Sequence, residues 1–326
     1  MIEQSKKEAV EMMNHLGAHH IPFLFIVDFL METPMVIPLE EIDAQEVLFD
    51  ICGINNAPSL KCSFNHPSLS KFPISYHRYI TAYEQITRNI HDGNSYLLNL
   101  TFPTRVITPL SLRDIFFFSS AKYKLLLDNR FVVFSPESFV RISDGIISSY
   151  PMKGTIDASI PDSHNIILND EKELAEHTTI VDLIRNDLSM VASNVQVDSF
   201  RYIERISTNS KDLLQVSSKI SGNLPPDYLA HLGSILFTLL PAGSISGAPK
   251  KKTVEIILES EQYDRGYYTG VFGCFDGKSV DSGVMIRFIE NINGELFYKS
   301  GGGITSMSKP EQEYQEMIDK VYVPIL

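Results

Sequence analysis

Four times between Lys122 and Ser300, a short apolar run meets a two-residue polar turn and another run follows it. KYKLLL and RFVVFS flank Asp128-Asn129, and SFVRIS and IISSYP flank Asp144-Gly145. Asp276-Gly277 separates YYTGVFGCF from VDSGVMIRFIE, and Asn293-Gly294 separates the latter from ELFYKS. Asp-Gly and Asn-Gly supply the backbone angles that tight hairpins require. Strands joined so closely pair antiparallel, because a parallel pair needs a long crossover. FLFIVDF (Phe23 to Phe29), after Pro22, reads as a further buried strand, and Tyr96 to Phe102 as another.

Helical periods lie between these runs. Tyr79, Tyr83, Ile86 and Ile90 recur at helical spacing, and Gly93 can end that helix. Residues 170–192 predict a long amphipathic helix capped by Asn169 or Asp170. Its apolar face holds Ala175, Ile180, Leu183, Ile184, Leu188 and Val191. Further helices are predicted over Asp227 to Leu240, over Pro249 to Gln262, and from Pro310, a residue suited to a first helical turn. Helices must cover the sheet faces, so the fold class is α+β. Residues 1–65 are expected to form a short N-terminal segment packing onto the core, and residues 66–326 the main domain.

The chain has 326 residues, 44% of them hydrophobic, enough for a large core. The net charge of -12 argues against nucleic acid and against an anionic membrane as partner. It leaves room for a small anionic substrate, because a local cation or arginine can reverse the field inside a cleft. Three cysteines, at 52, 62 and 274, suggest reduced thiols and a cytoplasmic protein. The N-terminus lacks a signal-peptide core, and no uninterrupted apolar stretch approaches the roughly 20 residues that span a bilayer.

Two acidic helices stand far apart in sequence. Glu173 and Glu176 share a helix face, as do Glu313 and Glu316, which follow a triple glycine at 301–303. Such pairs are either solvated surface or ligands that meet around a hard cation such as Mg2+. LLPAGSISGAPKKK (Leu239 to Lys252) is a small-residue loop feeding a helix, without the spacing of a nucleotide-binding P-loop. Glu137 stands at a strand start and Lys153 at a strand-to-loop position. Either could be plain surface, and the two could simply pair with each other. Cys274, in FGCFDG, reads as structural.

These stretches together resemble the chorismate-utilising enzymes: anthranilate synthase component I, aminodeoxychorismate synthase component I, and the isochorismate and salicylate synthases. The resemblance spans about residues 70–326. It rests on DGNSYLLNLT, SPE, PMKGT, KELAEHTTIVDLIRNDL, PAGSISGAPK, RGYYTGVFG, Ile286-Arg287, GGGI and EYQEMIDK, in the family's order. It implies two packed antiparallel β-sheets with helices outside. It also implies that Glu176 and Glu316 ligate Mg2+, supported by Glu173 and Glu313, and that the metal holds the ring carboxylate of chorismate. Tyr268, Arg287, Gly301, Gly303 and Lys320 match substrate-carboxylate contacts, and Ser244 matches a residue near the ring. Thr155, in PMKGT, is grouped with the substrate contacts. Glu137 matches the general acid that protonates the departing ring hydroxyl.

Within the family, PMKGT resembles the aminodeoxychorismate branch, where Lys153 would attack the ring as a nucleophile; anthranilate synthases have an alanine at that position. Leu98 stands where the isochorismate and salicylate branch is expected to carry a lysine base. Leu214 replaces a histidine tied to pyruvate release. The resemblance therefore implies amination of chorismate with the enolpyruvyl group retained. No glutaminase signature is present, so ammonia must come from a separate glutaminase subunit or from solution. The alternatives are anthranilate synthase component I and a non-catalytic binding subunit for a glutaminase. The N-terminal segment lacks the motif of tryptophan-regulated relatives, so feedback by tryptophan is not expected.

Overall fold

The computed structural model describes residues 3–58, 68–207 and 212–324. Cys62 and the expected boundary at residues 65–66 lie outside them. Among the described residues, two nine-stranded sheets form the centre, and the strand pairings in both are antiparallel. The first runs in the order Met152–Asp157, Asp212–Asn223, Ile146–Ser149, Ser138–Ser143, Val280–Val284, Val271–Phe275, Phe23–Val27, Met35–Pro38. Ser193–Ser207 lies along the outer side of Asp212–Asn223. The second runs Gly247–Ala248, Leu97–Ile107, Glu295–Ile304, Phe288–Ile292, Phe131–Ser135, Tyr123–Leu127, Val47–Ile51, Ile54–Asn55, with Ser70–Phe72 against Leu97–Ile107.

The hairpin turns fall where the sequence places them. Asp144 and Gly145 have φ of 52° and 74°, and Asn293 and Gly294 have 53° and 89°. Two successive positive φ angles make the mirror-image turn whose twist matches the flanking strands.

Residues 1–65 do more than pack onto a finished core, because they supply strands to both sheets. Phe23–Val27 is buried at every position. Phe23, Phe25 and Val27 face a cluster under the helices, whereas Leu24 and Ile26 face the layer between the sheets. A strand covered on both sides explains the unbroken apolar run FLFIV. The inter-sheet layer also holds Phe49, Tyr123, Leu125, Phe131, Phe272, Phe288 and Cys274. Burial pushes the Cys274 thiol up to about 12, in keeping with a structural cysteine.

Helices Tyr76–His91, Lys250–Glu261 and Pro310–Asp319 cover one end of the second sheet through Tyr79, Ile86, Ile256, Ile257 and Met317. The stretch Tyr228–Ser246 is long and apolar enough to cross a membrane by composition. Here it breaks into a 3-10 turn, Tyr228–His231, a short α-helix, Leu232–Thr238, and a single helical turn, Gly243–Ser246. Leu232, Ile235, Leu236 and Phe237 are buried in the cluster that also holds Ala9 and Met13 of helix Lys6–Ala18.

The long helix covers Glu171–Ser189, capped by the Asp170 side chain. Ile180, Ile184 and Leu188 of the expected apolar stripe are buried, and the buried face is broader than that stripe. Ala175 is exposed, and the inward residues are Glu176, His177, Ile180, Val181, Ile184, Asp187 and Leu188. The helix docks its middle on the core and turns two carboxylates and an imidazole inward, which an apolar periodicity cannot register.

Candidate active site

Four pieces of chain meet beside the triple glycine of strand Glu295–Ile304. The first is strand Met152–Asp157. A bulge between Lys153 and Thr155, with Gly154 at φ 77°, breaks its register with Asp212–Asn223. Such a bulge re-aims the side chains around it. Lys153 Nζ lies 3.7 Å from Glu176 Oε2. A Cβ on Gly303 would stand 3.6 Å from the same ammonium, and one on Gly154 would stand 3.3 Å from Glu173 Oε2. Lys153 therefore has its ion pair with the long helix, and not with Glu137 as the simplest pairing in the sequence suggested. Thr155, beyond the bulge, is exposed.

The second piece is the C-terminal helix Pro310–Asp319, which starts on Pro310 in its first turn as expected. Glu313 Oε2, Glu316 Oε1 and Lys320 Nζ would lie 3.4, 3.6 and 3.7 Å from a Cβ on Gly302. Lys320 Nζ bonds Glu316 Oε1 at 2.6 Å and donates to the Gly301 carbonyl at 2.9 Å. Gly301 itself is pressed against the Leu100 carbonyl of the neighbouring strand. The glycines thus let the chain carry Lys153 beside one residue and the C-terminal carboxylates beside the next.

The third piece is Glu137, just after strand Phe131–Ser135. Ser244 Oγ, from the turn Gly243–Ser246, donates to Glu137 Oε1 at 2.6 Å. Glu137 keeps a partly open surface but is crowded by protein, and this burial pushes its carboxyl above the ordinary range. The Ser244 bond and the charges of Lys153, Lys320 and Arg287 pull the other way, and burial prevails. A carboxyl that keeps its proton above the ordinary range, beside three cations, suits proton donation to an anionic substrate.

The fourth piece is the corner Tyr268 to Arg287. Tyr268 is 4% exposed and packs against Phe288. Arg287 donates to the Lys320 carbonyl at 2.9 Å and lies over the Tyr322 ring at 4.8 Å. Its φ of 53° and that of Thr269, 65°, are unfavourable for residues with a Cβ. Strain of this kind collects at functional sites.

Several participants carry no sequence signal of their own. Asn99 Nδ2 donates to the Ser244 carbonyl at 3.2 Å, and its Oδ1 would lie 3.9 Å from a Cβ on Gly303. Leu98 points away from the site into the cluster under the C-terminal helix. Strand alternation puts Leu97 on the site face with Asn99, and a Cβ on Gly303 would meet Leu97 Cδ1 at 3.1 Å. The position to inspect for a base is thus Leu97, which is equally unable to activate water.

His177 is 1% exposed and shares a 2.6 Å hydrogen bond with Ser218 Oγ. Burial, then the charges of Arg201 and Lys153, hold its imidazole down at about 4, so it is neutral. Ser218 also bonds the Pro151 carbonyl through its backbone N–H. His177 therefore ties the long helix to the strand edge that carries Lys153.

The carboxylates offer the hard oxygen donors that Mg2+ prefers. Glu313 and Glu316 already face one methyl-sized space above Gly302. Among the described residues no three acidic, histidine or cysteine side chains stand close enough to hold an ion between them. Glu313 and Glu316 offer two such donors, and a cation held there would take its remaining ligands from water, substrate oxygens or another carboxylate.

Residues 33–325 match the family model described as chorismate binding enzyme. The chain is 48% identical over 329 residues to a Haemophilus influenzae protein named "Uncharacterized PabA-like protein", covering 100% of this chain and 99% of the other. It is 36% identical over 200 residues to anthranilate synthase component 1 of Acetivibrio thermocellus, covering 59% and 39%. The fold resembles that of the menaquinone-specific isochorismate synthase of Escherichia coli, with a TM-score of 0.75 at 17% identity, covering 98% and 82%. From the family match along nearly the whole chain, joined to the site around the triple glycine, the chain belongs to the chorismate binding enzyme family.

Proposed function

We propose that the chain is an aminodeoxychorismate synthase component I. It replaces the C4 hydroxyl of chorismate with an amino group and retains the enolpyruvyl ether. A separate glutaminase subunit or the solution supplies ammonia, and the product goes to another protein on the way to 4-aminobenzoate and folate.

The observation that carries this reading is Lys153, at the bulge, 3.7 Å from Glu176 and facing Gly303. Its neutral amine attacks ring C2, the ring double bonds shift, and the C4–O bond breaks. Glu137 gives its proton to the departing oxygen, which leaves as water. Ammonia then forms a bond to C4, the double bonds shift back, and the C2–N bond to Lys153 breaks. The Glu137 carboxylate takes the extra proton from the new C4 ammonium, which restores the starting enzyme.

Arg287 and Lys320 supply positive charge for the substrate carboxylates, and the Gly301–Gly303 backbone lets the ring lie close. Tyr268 and Ser244 flank it. Glu176 and Glu316 would hold Mg2+, with Glu173 and Glu313 in support, and the metal would neutralise the ring carboxylate.

The identity to anthranilate synthase component 1 favours a second reading, amination at C2 with release of pyruvate. Mass spectrometry of the product from chorismate, Mg2+ and ammonium salt separates the two. An amine in place of the hydroxyl with the enolpyruvyl group intact supports the first; anthranilate and free pyruvate would replace it with the second.

A further inference from the structure

Two charged residues from prominent sequence stretches have no task in this scheme. Asp187 ends LIRND on the long helix, and Lys250 opens the lysine run after the small-residue loop. They pair inside the protein, with Lys250 Nζ 2.7 Å from Asp187 Oδ2, and Lys250 also donates to the Leu239 carbonyl at 2.7 Å. Burial pushes Asp187 up and Lys250 down, while their attraction opposes both shifts. A pair taken out of water in this way recovers its desolvation cost only with good geometry and further hydrogen bonds.

The pair borders a cavity. Asp187 lines a space of about 20 Å3 whose wall also includes Glu137, Ser244, Val140, Ile184 and Leu239. That volume holds about one molecule the size of water. Gly243 is what lets the loop close over it: a Cβ there would stand 2.9 Å from Asp187 Oδ2 and 3.0 Å from Leu183 Cδ2. The cavity therefore joins the buried Asp187–Lys250 pair to the carboxyl that protonates the leaving hydroxyl.

We propose that this cavity is the binding site for the ammonia molecule, which it presents on the Glu137 side of the ring. The inference rests on the aminating function above. Ammonia is the one reactant small enough to enter. Carboxyl and hydroxyl groups offer it hydrogen bonds, and the apolar walls of Val140, Ile184 and Leu239 favour neutral ammonia over the ammonium ion. From there nitrogen reaches the carbon whose oxygen Glu137 protonates, and Glu137 is in place to take the proton back.

The test uses the full chain with chorismate, Mg2+ and ammonium salt. Val140→Ile puts one methylene into the cavity with little change of shape elsewhere. One methylene misplaced in a pocket is worth about 10-fold or more, so KM for ammonium should rise about 10-fold with KM for chorismate nearly unchanged. Ile184→Ala, which widens the cavity, should let methylamine serve as nucleophile where the wild-type chain rejects it. If the cavity holds product water only, Val140→Ile lowers kcat at saturating ammonium and leaves KM for ammonium unmoved, which overturns the proposal. Equal use of methylamine by wild type and Ile184→Ala overturns it too. A wild-type chain that forms no aminated product at all instead removes the functional reading beneath it.

Discussion

Gly302→Ala separates the fold from the site more cleanly than any change to a charged residue. Its new Cβ would stand 3.4 Å from Glu313 Oε2, 3.6 Å from Glu316 Oε1 and 3.7 Å from Lys320 Nζ. These are ordinary contacts, and the backbone there is not in the left-handed region, so the native strand accepts alanine without strain. Removing glycine from the unfolded chain then stabilises by about 0.4–1 kcal/mol. The melting temperature should hold or rise slightly.

Activity should fall steeply. Mg2+ sits about 2.1 Å from its oxygen ligands, and a hydrogen-bonded substrate oxygen sits about 3 Å from its donor. A methyl carbon at 3.4–3.7 Å from all three groups occupies the space those ligands need. We expect kcat/KM for chorismate to drop about 100-fold, equivalent to about 2.7 kcal/mol of transition-state stabilisation. Gly301→Ala is the control: its Cβ runs into the Leu100 carbonyl, so it should lose about 3 kcal/mol or more of stability. Thermal melts and steady-state kinetics on the two variants read both quantities. A folded Gly302→Ala chain with kcat/KM near wild type would show that substrate and metal do not lie against this residue.

Glu176→Gln and Glu316→Gln should each abolish Mg2+-dependent turnover while leaving the circular dichroism spectrum unchanged; activity of either in chelator-treated buffer removes the metal assignment. Glu137→Gln should lower kcat by about 100- to 10,000-fold, the usual worth of a general acid. Because burial raises the Glu137 pKa, its proton is retained above the ordinary carboxylate range and is lost as pH rises through the folded value. With free ammonia held constant across the pH series, turnover should therefore fall as pH rises through the folded Glu137 value. A profile without that falling limb while the protein stays folded contradicts that role. Lys153→Ala should bind chorismate yet form no covalent adduct when ammonia is withheld, as read by intact-protein mass. Wild-type protein without such an adduct, together with near-normal turnover of the variant, contradicts the nucleophile.

The hairpins were legible because their signal is local. Asp144-Gly145 and Asn293-Gly294 need only their own backbone preferences and the alternation of a few neighbours. The helix starts were equally local, with the Asp170 cap and Pro310 in a first turn. On Glu171–Ser189 the apolar part of the inward face, Ile180, Ile184 and Leu188, was legible, and the polar part was not. Apolar periodicity assumes that a buried face is greasy, and this helix buries Glu176, His177 and Asp187. Ala175 fell on the wrong side for the same reason.

The acidic pairs could be recognised as pairs, but their partners could not. Which cation meets which carboxylate depends on the bulge at Gly154 and on how closely the glycine strand approaches, and neither leaves a trace in residue spacing. Lys153 and Glu137 are near in sequence and share the site, yet the ion pair of Lys153 is with Glu176. That arrangement also bears on chemistry. If Lys153 bonded Glu137 directly, each would fix the other in its charged form, and neither could act as nucleophile or acid without breaking the pair. Giving Glu137 a hydroxyl partner in Ser244 and Lys153 a carboxylate on another helix lets burial raise the Glu137 carboxyl above its ordinary range. Lys153 is thereby held beside Gly303 by an ion pair that does not involve the proposed acid.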